Sequence, residues 1–231
     1  MFKRKKPVPT SKIRHLITKL NPRSPISEQY RTIRTNLQFS SVDKPLHSIL
    51  VTSAGPAAGK SITAANLAVV YAQQDKRTLL IDADLRKPTV HYTFRLDNLR
   101  GLSNVLVGDS TLENAVEKSD VDNLDILSCG PIPPNPSELL ASKRMGDILK
   151  QAKQLYDFII FDTPPALAVT DAKILANIVD GTLLVYRSGT TELEEAERAA
   201  EIMKDAKARL LGAILNDRPK GTASYYYYYG A

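Results

Sequence analysis

The chain has 231 residues, 43% of them apolar and 24% charged, with a formal net charge of +6, the size and balance of one soluble globular domain with a substantial core. No apolar run approaches the roughly 20 residues that span a bilayer, and the N-terminus lacks a signal-peptide core, so a cytoplasmic protein is expected. The single cysteine, Cys129, excludes an internal disulfide and a paired-thiol metal site, and a buried, inert thiol is its expected role.

The charge is uneven along the chain. Residues 1–23 carry eight lysines and arginines and no acid, so the rest of the chain sums to −2. With Pro7, Pro9 and Pro22, residues 1–26 read as a basic, flexible arm. Attraction to anionic lipid headgroups, at about 1 kcal/mol per basic residue near the surface, is one reading, and a solvated arm without a partner is another. Nucleic acid is not expected, because no basic helix or aromatic stacking platform accompanies the charges.

Residues 27–39 read as a helix with Ser27 as N-cap and Glu28 in its first turn. Glu28, Arg31 and Arg34 recur every three residues and are expected to share a face, as local ion pairs in solvent or as a charged oligomer contact.

The β-branched run 48–52 suits a buried strand, and the apolar stretch 62–71 suits a buried helix. Between them lies Ser53-Ala54-Gly55-Pro56-Ala57-Ala58-Gly59-Lys60-Ser61, a relaxed P-loop in strand, turn, helix context. Backbone amides from Gly55 through Ile62 can converge on phosphate oxygens, Lys60 can reach the β- and γ-phosphates, and the Ser61 hydroxyl can ligate magnesium. Ala57 and Ala58 restrict the loop, so its φ values are expected in regions open to L-residues.

The strand 77–82 ends in Asp82 and Asp84, with Pro88 blocking a regular continuation. At the end of a parallel strand two such carboxylates would lie beside the phosphates, holding magnesium or its waters, while one accepts a proton from an attacking hydroxyl. The other reading is a surface turn pairing with Arg86 and Lys87. Short helices are expected within 101–120, a strand at 124–128, a stiff proline loop over 130–138 that can be neither helix nor central strand, and a helical stretch opening within 136–142 and running to about Leu155.

Next, the apolar run 158–161 ends in Asp162, a Walker B pattern that would hold magnesium from the strand beside the P-loop. Strands at 181–186 and 209–215 flank a helix at 191–206. Alternating strands and helices imply an α/β fold of the P-loop NTPase type, a mostly parallel sheet covered on both faces. Asn216 ends the last strand at the same sheet edge as the P-loop, where its amide would bond either adenine or a turn. The five tyrosines Tyr225, Tyr226, Tyr227, Tyr228 and Tyr229 have no core-facing period, so 220–231 reads as an exposed tail.

Taken together, Glu28-x-x-Arg31-x-x-Arg34, the relaxed P-loop, residues 81–88, residues 160–165 and the tyrosine cluster resemble the cytoplasmic bacterial tyrosine kinases that serve capsule and exopolysaccharide synthesis. The resemblance covers about residues 27–231, with the kinase domain at 27–219. It implies ATP and Mg²⁺ as cofactors, with Lys60, Asp82, Asp84 and Asp162 as the catalytic set and Asp82 or Asp84 as the base. It further implies autophosphorylation of Tyr225 to Tyr229, and a ring of subunits joined partly through Glu28, Arg31 and Arg34 while unphosphorylated. A membrane-anchored activator, tyrosine-bearing protein substrates, an opposing phosphatase and a location at the inner membrane face are implied as well. Ala57 and Ala58 stand where Gly-Glu is commoner and Ile62 where threonine is usual, changes that bear on rate more than on nucleotide binding. The alternative class is a partition or positioning ATPase that binds membrane or DNA, whose P-loop carries a second lysine five residues before the first. Here that position is Gly55.

Overall fold

The computed structural model describes residues 16–40, 45–206 and 208–219. In chain order the elements are α1 (Ile17–Leu20), α2 (Pro25–Phe39), β1 (Ser48–Ser53), α3 (Lys60–Ala72), β2 (Thr78–Asp82), α4 (Val90–Phe94), α5 (Leu102–Val107), α6 (Leu112–Ala115) and β3 (Glu117–Lys118). There follow β4 (Leu124–Leu127), α7 (Pro136–Ala141), α8 (Lys143–Leu155), β5 (Phe158–Asp162), α9 (Asp171–Ala176), β6 (Gly181–Arg187), α10 (Leu193–Asp205) and β7 (Leu210–Asn216).

The strands form one sheet in the order β3-β4-β2-β5-β1-β6-β7, parallel except for the antiparallel β3. Continuous apolar runs in β1, β2 and β5 are what a strand buried on both faces requires. Because side chains alternate along a strand, Ile49 and Val51 enter the layer under α1 to α4, while Leu50 enters the layer under α5 to α10. Each fully buried Leu or Ile contributes about 1.5–3 kcal/mol. The register then sets Asp82 and Val51 on either side of Asp162, so the C-terminal ends of β2, β5 and β1 finish level.

Several local expectations are revised. The basic arm does not extend to residue 26: Leu16 and Thr18 are buried, and both the amide and the hydroxyl of Thr18 donate to Asn66 Oδ1 on α3, at 3.1 and 2.8 Å. The N-cap of α2 is Ser24, whose Oγ accepts from the Ser27 amide at 3.1 Å, and Ser27 is buried in the first turn. Proline at N1 explains the earlier start, since Pro25 has no amide to satisfy and its φ is already helical. The proline loop ends earlier than expected, since Pro136, Ser137 and Glu138 form the first turn of α7 with proline at its start, and the helical stretch to Leu155 breaks at Ser142, which is extended (ψ 151°) and separates α7 from α8. No helix among the described residues is long and apolar enough to cross a membrane.

Candidate active site

The site is built where β1, β2 and β5 end. The P-loop leaves β1 at Ser53, and Gly59 caps α3 with φ +93°, a left-handed conformation that favours glycine. A Cβ at Gly59 would also lie 2.1 Å from Asn216 Nδ2. Ala57 adopts φ +60°, in the small left-handed range that is open to L-residues but uncommon for them. That conformation costs a side chain with a Cβ about 1–2 kcal/mol. The first intrahelical bond of α3 runs from Thr63 N to Gly59 O, at 2.9 Å. Lys60, Ser61 and Ile62 therefore present amides without partners inside the helix, and these favour an anion. Ile62 also packs its side chain on the core under α3.

Lys60 Nζ lies 3.1 Å from Asp84 Oδ2, 3.5 Å from Asp162 Oδ1 and 3.3 Å from Ser61 Oγ. Burial on its own favours the neutral amine, but Asp162 and Asp84 outweigh it and hold the Lys60 pKa above its ordinary value. Asp82 and Asp162 are fully buried and Asp84 nearly so, which excludes the surface turn. Asp82 accepts from the amides of Thr89 and Val90, each at 3.0 Å, and from that of Asp84 at 3.3 Å. Burial, then the adjacent Asp162, push its pKa up to about 7 against these amides and Lys60. Asp84 Oδ1 accepts from the amides of Lys87 and Arg86, at 3.0 and 3.4 Å, which leaves Oδ2 facing Lys60.

These donors suit magnesium. One hydroxyl and hard carboxylate oxygens converge at the head of α3, and magnesium usually takes one or two carboxylates with water and phosphate oxygens, not a protein cage. Among the described residues no group of three or more His, Cys, Asp or Glu side chains is arranged to hold an ion by itself.

Asn216 is brought to the P-loop, its Nδ2 donating to Ala58 O at 3.1 Å. Glu28, Arg31 and Arg34 are not brought to one exposed face. Glu28 and Arg31 pair on the surface, whereas Arg34 is buried and its Nη1 donates to Val70 O on α3 at 2.6 Å. Tyr225 to Tyr229 lie outside the described residues. Cys129 is buried as expected, and desolvation raises its pKa. Sequence reading missed Asp171 and Ser137, which bond Arg86 beside the site. It also missed Asp217, which pairs with Arg187 next to Asn216 at 2.9 Å. Neither set has a spacing signal, since the partners come from separate elements far apart in the chain.

Comparison with known proteins places this geometry. Residues 47–210 match the family model described as an AAA domain. The chain is 55% identical over 217 residues to tyrosine-protein kinase YwqD of Bacillus subtilis, covering 94% of this chain and 92% of that one. It is 45% identical over 210 residues to the putative tyrosine-protein kinase CapB of Staphylococcus aureus, covering 90% and 92%. Among solved structures, the chimerical protein CapA2B2 superposes with a TM-score of 0.86 at 42% identity, covering 90% of this chain and 93% of that one. The septum site-determining protein MinD of Pyrococcus horikoshii, complexed with Mg-ADP, superposes at 0.66 with 25% identity, covering 77% and 72%.

Proposed function

Since the chain belongs to the bacterial protein-tyrosine kinases built on a P-loop nucleotide fold, we propose that it phosphorylates its own C-terminal tyrosines in trans within an oligomer, and so regulates capsular or exopolysaccharide synthesis. The chain is a tyrosine kinase, as its relatives are. The observation that carries the proposal is the meeting of Lys60 with Asp84 and Asp162 at the head of α3, joined to a tail rich in phosphorylatable tyrosine.

In this reading the amides from Gly55 to Ile62 hold the phosphate oxygens of ATP, and Lys60 supplies positive charge to the β- and γ-phosphates. Ser61, Asp84 and Asp162 would hold magnesium, which when bound offsets the charge of the phosphates. Asp82 takes the proton as the tyrosine oxygen bonds to the γ-phosphorus and the bond to the departing ADP breaks. Burial beside Asp162 raises the Asp82 pKa above the ordinary carboxylate range, which makes it the stronger proton acceptor. Asn216, with its amide N–H given to Ala58, keeps its carbonyl oxygen for the adenine amine. A membrane-anchored activator, protein tyrosine substrates and a phosphatase complete the system at the inner membrane face. A positioning-type ATPase switch is supported less, by the lower superposition on MinD and by Gly55 at the position of its second lysine.

The test is mass spectrometry of the tail after incubation with Mg-ATP. Lys60→Met is expected to reduce tail phosphotyrosine about 10²–10³-fold with an unchanged circular dichroism spectrum. Asp82→Asn is expected to lose about 10²–10⁴ in rate while still binding Mg-ADP. Wild-type phosphorylation in Lys60→Met would overturn the site. If Asp84→Asn keeps Mg-ADP but loses transfer while Asp82→Asn loses the metal, the two roles are exchanged.

A further inference from the structure

The side chain of Arg86 does not point at the phosphate site. Its Nε donates to Asp171 Oδ2 at 2.9 Å, and its Nη2 to Asp171 Oδ1 at 3.1 Å and to Ser137 Oγ at 2.8 Å. Ser137 Oγ in turn donates to Asp171 Oδ1 at 2.6 Å, and the Asp171 side chain is 0% exposed. A buried carboxylate facing a planar fork and a hydroxyl is a fully bonded anchor. It joins three segments that the sheet alone leaves independent: the turn after β2, the first turn of α7 where the proline loop enters it, and the first residue of α9, where the segment from Asp162 ends. The backbone of the anchored turn has a second task, because the amides of Arg86 and Lys87 hold Asp84 Oδ1 while Oδ2 faces Lys60.

We propose that Asp171 and Ser137 are positioning residues for the magnesium site: by anchoring Arg86 they fix the turn that orients the Asp84 carboxylate and tie it to the loop leaving Asp162. The proposal rests on the nucleotide-site reading above. With the anchor cut, the turn relaxes, the Arg86 and Lys87 amides release Oδ1, and the two carboxylate loops move separately. Lysine at 86 keeps the charge but cannot form the two-pronged bond to Asp171. Outer partners of this kind typically govern 10–100-fold in metal affinity or activity.

The experiment uses the full chain and fluorescent mant-ADP, titrated without magnesium and then across a magnesium series, with kinase rates alongside. For Asp171→Asn and Arg86→Lys, magnesium-free mant-ADP affinity is expected to stay within about twofold of wild type, while the magnesium needed for half-saturation rises about 10-fold or more and the rate falls in step. Ser137→Ala, which removes one of the bonds, is expected to shift half-saturation about threefold in the same direction. Unchanged magnesium half-saturation in both stronger variants would overturn the proposal. So would an equal loss of nucleotide with and without magnesium, the signature of a packing role alone. Wild-type protein whose mant-ADP binding ignores magnesium would instead refute the underlying nucleotide-site reading, an outcome seen before any variant is compared.

Discussion

Asp84 divides its two oxygens, one for the turn that carries it and one for the Lys60 ammonium, so the carboxylate cannot rotate without breaking a bond on either side. Ala57 makes the opposite point, a residue held where its own chemistry disfavours it. Its φ of +60° costs an alanine about 1–2 kcal/mol, while glycine there would add about 0.5–1 kcal/mol of unfolded-state entropy. Ala57→Gly is therefore expected to leave stability unchanged or raise it by up to about 1 kcal/mol, measured by urea denaturation. A loss beyond about 1 kcal/mol would mean that the Ala57 methyl makes contacts worth more than the strain.

At the scale of the element, α2 shows why spacing misplaced one residue of the charged set. At 100° per residue, three-residue steps drift backwards by about 60°, so Arg34 stands about 120° from Glu28 around the helix. That rotation carries Arg34 into the inward stripe of Ser27, Tyr30 and Leu37. There it meets the last turn of α3, where Val70 O has no helical partner and a cation is favoured. Arg34→Met, which keeps the apolar stem, is expected to cost about 1–3 kcal/mol in chemical denaturation because it orphans that carbonyl. Glu28→Ala and Arg31→Ala remove only a surface pair and are expected to cost no more than about 0.5 kcal/mol each, leaving any effect on assembly readable. Equal stability of Arg34→Met and wild type would mean that the bond to Val70 O contributes nothing to the fold.

For the whole molecule, the sheet brings the P-loop, the three aspartates and Asn216 to one end, and the last strand leaves from that end at Asn216. Thirteen residues separate Asn216 from Tyr229, at most about 45 Å when extended, so length alone allows the tyrosines to reach their own site or a neighbour's. Each phosphotyrosine adds about −1.5 to −2 charge, so five add roughly −8 to −10 beside Asp82, Asp84 and Asp162. Such a tail should be expelled from a carboxylate-lined site. The fully phosphorylated protein is thus expected to be monomeric, and the unphosphorylated protein or Lys60→Met oligomeric, by light scattering at equal concentration. An unchanged mass after complete tail phosphorylation would rule this switch out.

The sequence by itself determined six of the seven strands, the P-loop and the three aspartates, because these are local features: an apolar run, a glycine-bearing turn before a helix, and acids at strand ends; the two-residue β3 has no such run and lies in the stretch expected as short helices. It also carried the family, through the P-loop and the motifs at 81–88 and 160–165, each contiguous in the chain. The tertiary structure decided what depends on residues distant in the chain. Only packing on α3 shows that the chain from Leu16 is folded, since its partner Asn66 lies 48 residues beyond Thr18. Only the sheet order places Asp162 between Asp82 and the P-loop strand. The bonds from Arg86 to Asp171 and Ser137 span 85 and 51 residues, and no local period encodes a contact of that length, because it forms only when the turn after β2 meets the starts of α7 and α9.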